Sequence, residues 1–455
     1  MRSVSALFVP ALFFTGCQSW QAHARPSTAE VISTDPFGVM AEADRLSARD
    51  LWPGFDPRVV PVAIYDGERT LLFRHRAPPE GFHPVPGHES VWAYPGRHPS
   101  VTANTSEIIG GVRTATLMPA TGRVALLQRA GILVHEMFHV FQGERHRGWS
   151  ANEAELFAYP VDVIELFALR RLETEALRRA LVARAPDRAS CWARSALDLR
   201  RERFAALPAG SVAYERGTEL NEGLATYVQY RATGELNTAV LPNEEFAPEA
   251  VRQRGYASGL ALARLLDRFS PTWPTTLEKN DSTFLDILLS TALDARGQNV
   301  PSCPFAFAER ARIQNAAAKD IAALRTRRAE QRRTFLEQAG WRLIVVAPSA
   351  PLFPQGFDPL NVQTVAPGEV LHTRFLKLGN DAGTVELLGR FALTESAGAH
   401  PLFNGVRTLT VTGLVTEPIV SQADSAVTIK ADGVDAKLRG ATVERTGQSV
   451  TVRLP

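Results

Sequence analysis

One stretch constrains this chain more than any other: His135-Glu136-Met137-Phe138-His139, set inside the apolar run Ile132 to Phe141. If the run is helical, residues four apart share a face, so both imidazoles project side by side. Leu126, Leu127, Ile132, Leu133, Val134, Phe138, Val140 and Phe141 flank them, which predicts a buried helix from about Val124 to Arg145. Two imidazoles on such a helix either pack as core histidines or share one cation. With ten histidines in the chain, this spacing with a glutamate after the first arises by chance in roughly one chain in a hundred.

A catalytic zinc ion takes three protein ligands and keeps a fourth position open, and His135 and His139 supply two of the three. Glu136 is then not a ligand but the general base that takes a proton from the attacking water. The third ligand decides the class. Gly143 and His146 each lie one residue too late for the HExxHxxGxxH extension, and no methionine follows Met137, which excludes a metzincin arrangement.

Further along, Glu219-Leu220-Asn221-Glu222-Gly223-Leu224-Ala225 and Tyr256-Ala257-Ser258-Gly259 occur in that order after the histidines. They resemble the Asn-Glu-Gly and Tyr-x-x-Gly segments of aminopeptidase-N-like gluzincins, a class of zinc metallopeptidases. The resemblance implies Zn2+ as cofactor and Glu222 as third ligand. It also implies that Gly223 permits close helix packing and that the Tyr256 hydroxyl stabilises the oxyanion. Two features depart from it: 82 residues separate His139 from Glu222, which requires an added helical insertion, and Gly110-Gly111-Val112-Arg113 stands where an exopeptidase would carry Gly-x-Met-Glu-Asn. A competing ligand pair is Glu153 and Glu155, although acidic residues after an Asn152 N-cap also complement a helix dipole.

The N-terminus carries Arg2, an apolar run from Val4 to Phe14, then Thr15-Gly16-Cys17, a secretory signal pattern too short to span a bilayer. Leu12 to Cys17 resembles a bacterial lipobox with Phe14 in place of leucine, which would leave Cys17 lipidated. Ala22-His23-Ala24 offers a rival cleavage site. Export permits a disulfide between Cys191 and Cys303; the alternative is two buried thiols. Net charge is +2 and the cations are mostly arginine, so no basic field points to nucleic acid.

Residues 25–58 read as a linker rich in Pro, Ser, Thr, Asp and small residues after the signal segment 1–24, with one short helical stretch around Val39 to Leu51. Strand patterns fill 59–119: Val59 to Tyr65, Thr70 to Arg74, Val91 to Tyr94, and a β-branched stretch Ile108 to Leu117 interrupted by Gly110-Gly111. That last stretch is a candidate edge for holding an extended peptide, or a bulged edge strand without a ligand. Residues 124–340 are helical in pattern, with a break at Pro160. From Trp341 the composition shifts to alternating Val, Thr and Leu with turn signals, predicting a β-sandwich over 341–455 in which His372 and His400 are structural.

The expected fold is therefore α+β: a thermolysin-like zincin domain over 59–340, mainly helical with a small N-terminal sheet, followed by an all-β sandwich-like domain. The expected function is an exported zinc peptidase, periplasmic or on the outer membrane, acting on a peptide or protein substrate and touching a membrane only through lipid at Cys17. Two alternatives share the features: an inactive envelope scaffold that keeps the fold, and a zinc amidase acting on a non-peptide substrate.

Overall fold

The computed structural model describes residues 35–120, 122–234, 241, 246–280, 282–296, 300–358, 361–396, 398, 400–423 and 426–455. The signal segment, the lipobox-like Cys17 and the rival site at Ala24 lie outside the described residues. Two compact units divide the chain. The first holds the residues up to Asn152 with Ala168–Ile313, and the second holds Glu153–Phe167 with Gln314–Pro455.

The first unit opens with helix α1 (Pro36–Leu46), whose N-terminal amides are capped by the Asp35 carboxylate. A six-stranded sheet follows, made of β1 (Val62–Tyr65), β2 (Arg69–Phe73), β3 (His83–Pro84), β4 (Val91–Pro95), β5 (Thr105–Ile109) and β6 (Val112–Leu117). Its order is β3-β4-β2-β1-β6-β5, so β5 forms one edge. Gly110 and Gly111 are the two-residue turn between β5 and β6, both at positive φ, and a Cβ on Gly110 would stand 2.8 Å from the Ala77 carbonyl oxygen.

Helices then dominate: α2 (Leu126–Arg145), α3 (Glu155–Ala158), α4 (Ile164–Val182), α5 (Pro186–Ala206), α6 (Ala209–Thr218), α7 (Leu224–Thr233), α8 (Val251–Phe269), α9 (Trp273–Glu278), α10 (Leu285–Asp294) and α11 (Phe307–Leu336). The break between α3 and α4 falls at Pro160, whose ring cannot continue a helix. Glu219–Gly223 is a π-helical turn joining α6 to α7 without interruption. Helix α2 is wrapped in apolar contacts. Phe138 meets Trp52 and Phe55 edge-on, and Trp52 in turn meets Trp149, Tyr227 and Trp273. Cys191 and Cys303 are joined by a disulfide with Cα atoms 5.1 Å apart.

Between α4, α5, α6, the π turn and α8 lies a buried ionic network of three carboxylates and three guanidinium groups. Glu173 takes bonds from Arg200 at 2.9 Å, Arg254 at 2.8 Å and Arg203 at 2.6 Å. Arg200 also grips Glu219 with two bonds, at 2.7 and 2.6 Å, and Ser258 donates to the same carboxylate at 2.6 Å. Burial opposes ionisation of Glu173, but the three guanidinium groups outweigh it and hold this carboxyl well below its usual range.

In the second unit, strands between Trp341 and Arg453 form a seven-stranded and a six-stranded sheet. Leu343, Val345, Val370, Leu376, Val385, Leu409, Val411, Ile429 and Val452 build one core, in the alternating pattern of half-buried strands. His372 is buried there. Its Nε2 meets the Thr394 hydroxyl at 3.1 Å, and burial pushes its pKa down to about 3. Because the unfolded ring binds a proton near pH 6.5 while the folded ring does not, stability is complete above that pH and falls as pH drops towards 3. The slope is about 1.4 kcal/mol per pH unit. His372→Gln should flatten this acid limb in the urea midpoint of the unit measured from pH 7 to pH 4. Parallel curves for the two proteins would remove His372 as its source.

The expected thermolysin-like zincin fold requires correction. The architecture is an N-terminal β region, a middle helical region and a C-terminal β-sandwich-like region, and no zincin-specific arrangement is confirmed in it. The three short segments behind that expectation govern which side chains share a helix face. They carry no information about sheet order, or about the helices that fill the 82-residue interval before Glu222.

Candidate metal centre

His135 and His139 sit one turn apart on α2, and both present Nε2 to the same point, 3.1 Å from each other. Glu222 comes from the π turn. Its Oε2 stands 3.5 Å from His135 Nε2 and 3.3 Å from His139 Nε2. Ligand atoms held about 2.0 to 2.1 Å from a tetrahedral ion are about 3.3 Å apart, so the triangle has the size such an ion demands. Among the described residues, this is the group whose His, Cys, Asp and Glu ligand atoms converge enough to hold a metal ion.

Close packing of α2 on α7 brings the two sides together, where a Cβ on Gly131 would lie 2.6 Å from the Thr233 Cγ2, and the π turn packs as closely on α8. Gly223 and Gly259 touch backbone to backbone, and a Cβ on Gly223 would lie 2.7 Å from the Gly259 Cα. Gly255 leaves similar room for Thr218. The π turn widens the helix just where Glu222 must reach α2, a local irregularity that often marks functional positions.

Electrostatics inside the triangle favour a cation. Burial opposes charge on Glu222, yet His139, His135 and Arg252 overcome this and hold its carboxyl well below the usual range. Burial also disfavours a charged His139, but Glu222 and Glu136 outweigh that and push its pKa up to about 9. A metal ion held there would take the place of the proton that these carboxylates favour on His139. For His135 burial dominates and lowers the pKa. Its Nδ1 has no hydrogen bond of good geometry, although the Gln229 side chain lies close enough to favour the charged ring weakly.

Glu136 is buried outside the triangle. Burial, with Glu222 adding to it, raises its pKa to about 8 against the opposing pull of His139 and Arg252. Tyr256 is half-buried on α8, its ring parallel to that of His135 with centroids 6.2 Å apart. Arg252, one turn earlier, lies over the Tyr256 ring and donates to Glu222 Oε1 at 2.8 Å, which leaves Oε2 to face the histidines. Glu153 and Glu155 belong to the second unit and take no part in the group. His146 pairs with Glu278 at 3.1 Å and stacks on Trp149, which accounts for it as a structural residue.

Sequence reasoning missed Arg252, Gln142 and the π turn. Gln142 was the most findable, as a polar side chain three residues after His139 on an otherwise apolar helix. Arg252 had no comparable signal among so many arginines.

The chain matches no family model, no curated protein and no solved structure.

Proposed function

We propose that this chain is an exported zinc-dependent hydrolase that cleaves peptide bonds, with Zn2+ held by His135, His139 and Glu222. The observation that carries the proposal is the buried ligand triangle at tetrahedral spacing, with a buried glutamate beside it that binds nothing in the triangle. Imidazole and carboxylate ligands suit zinc, and three protein ligands leave one position open. When bound, the ion supplies Lewis-acid polarisation of water and of a scissile carbonyl.

The remaining work falls to side chains. Glu136, with a divalent charge nearby, is held as a carboxylate despite its burial, takes a proton from the attacking water and returns it to the leaving amine. Tyr256 supplies a hydroxyl to the developing oxyanion. Arg252 keeps Glu222 ionised and turned towards the histidines. Strand β5 is an edge strand of its sheet in contact with α2, which supports an extended peptide as the substrate. The Cys191–Cys303 disulfide supports export, because such bonds persist in oxidising compartments. Among the described residues no helix is long and apolar enough to cross a membrane. Attachment is proposed through Cys17, and the mass of the mature N-terminus distinguishes a lipidated Cys17 from cleavage after Ala24.

The decisive experiment is metal analysis combined with a peptide library. About one zinc per chain and chelator-sensitive cleavage, restored by Zn2+, are expected. A protein that takes up no metal after reconstitution would end the enzymatic proposal, and bound zinc without peptide cleavage would end the assignment to peptide bonds.

A further inference from the structure

Gln142 is 2% exposed on α2, one turn beyond His139, and neither binds the proposed ion nor packs as an apolar residue. Its side chain makes three hydrogen bonds. Nε2 donates to the carbonyl oxygens of Leu220 at 2.9 Å and Asn221 at 3.0 Å, both in the π turn. Oε1 lies 2.8 Å from His139 Nδ1.

These contacts leave no freedom in how the amide is oriented. Backbone carbonyls only accept, so the NH2 group must face Leu220 and Asn221, and the amide oxygen must face His139. An amide oxygen also only accepts, so His139 Nδ1 must carry its hydrogen. In the neutral ring the lone pair is then on Nε2, the atom that points into the triangle.

We infer that Gln142 is a positioning residue: its amide oxygen fixes His139 in the tautomer that can ligate through Nε2, and the bonds of its NH2 to the π turn fix which way the amide faces. The inference rests on the metal-centre proposal above. Outer partners of this kind typically change metal affinity by about 10- to 100-fold when removed.

Two substitutions separate the two bonds. Gln142→Met removes both the acceptor and the donor at similar volume. Gln142→Glu keeps an acceptor for His139 Nδ1 but loses the donor to the carbonyls. The readouts are Zn2+ affinity by chelator competition, the visible absorption spectrum of the Co2+-loaded protein, and the melting temperature. Both variants should melt below the wild type. Only Gln142→Met should lose affinity, by about 10- to 100-fold, with an altered Co2+ spectrum. Gln142→Glu should keep the wild-type spectrum and bind at least as tightly as the wild type.

A folded Gln142→Met protein with wild-type affinity and spectrum would overturn the inference. If Gln142→Met does not fold, weakened binding by Gln142→Glu overturns it, since a merely structural role would lower affinity in step with stability. A wild type that binds neither Zn2+ nor Co2+ would instead defeat the metal-centre proposal, and this inference with it.

Discussion

Glu136→Gln is expected to leave the metal content at the wild-type level while lowering peptide turnover by about 10²- to 10⁴-fold, the usual contribution of a positioned general base. The amide keeps the shape of the side chain but cannot accept a proton from water. Because Glu136 stands outside the ligand triangle, its replacement removes no metal bond. Glu222→Gln is the contrasting case: it removes the anionic ligand, so zinc itself should be lost. Measuring metal content beside turnover separates the two. Unchanged turnover in a zinc-loaded Glu136→Gln protein would remove Glu136 as the base.

The largest effect on stability is expected from Glu173→Gln. Glu173 is fully buried and bonds to Arg200, Arg203 and Arg254. Removing its charge leaves a buried surplus of positive charge, and breaking such a network typically costs about 3 to 5 kcal/mol. Domains are stable by only about 5 to 15 kcal/mol, so the loss is a large fraction of the total. It should also reach the candidate metal centre, because Arg200 holds Glu219 in the π turn that carries Glu222, and Arg254 ties α8, which carries Arg252, to Glu173. A shift in the urea midpoint equivalent to less than about 1 kcal/mol would show that water or rearrangement compensates the charge, contrary to the packing described here.

Local features were legible in the sequence wherever one physical rule dominated. The apolar run around His135 and His139 predicted a helix from Val124 to Arg145, and the helix runs from Leu126 to Arg145. Pro160 predicted a break and one is present there. Gly110-Gly111 was expected as an interruption within a strand; instead it is the turn between β5 and β6, because two consecutive residues at positive φ reverse the chain rather than bulge it. Residues 124–340 are helical in pattern, yet nothing in the charges of the Arg-rich stretch Ser190 to Leu207 tells that Arg200 and Arg203 are buried. Their partners, Glu173, Glu215 and Glu219, come from α4, α6 and the π turn and lie 12 to 30 residues away in sequence.

By itself, the sequence determined the donor set and its local spacing: two imidazoles on one helix face, a glutamate between them, and a later Asn-Glu-Gly segment whose carboxylate could join them. Side-chain periodicity is a property of the helix, so short motifs carry it. Tertiary structure decided the rest. It brought Glu222 across 82 residues to within 3.5 Å of both histidines, through the packing of α2 on α7 and a widened helical turn. It also placed Arg252 against Glu222 and Gln142 against His139, and set an architecture that the motifs did not anticipate. Those outcomes depend on packing between distant segments, where many weak contacts act together and no short pattern in the chain records the result.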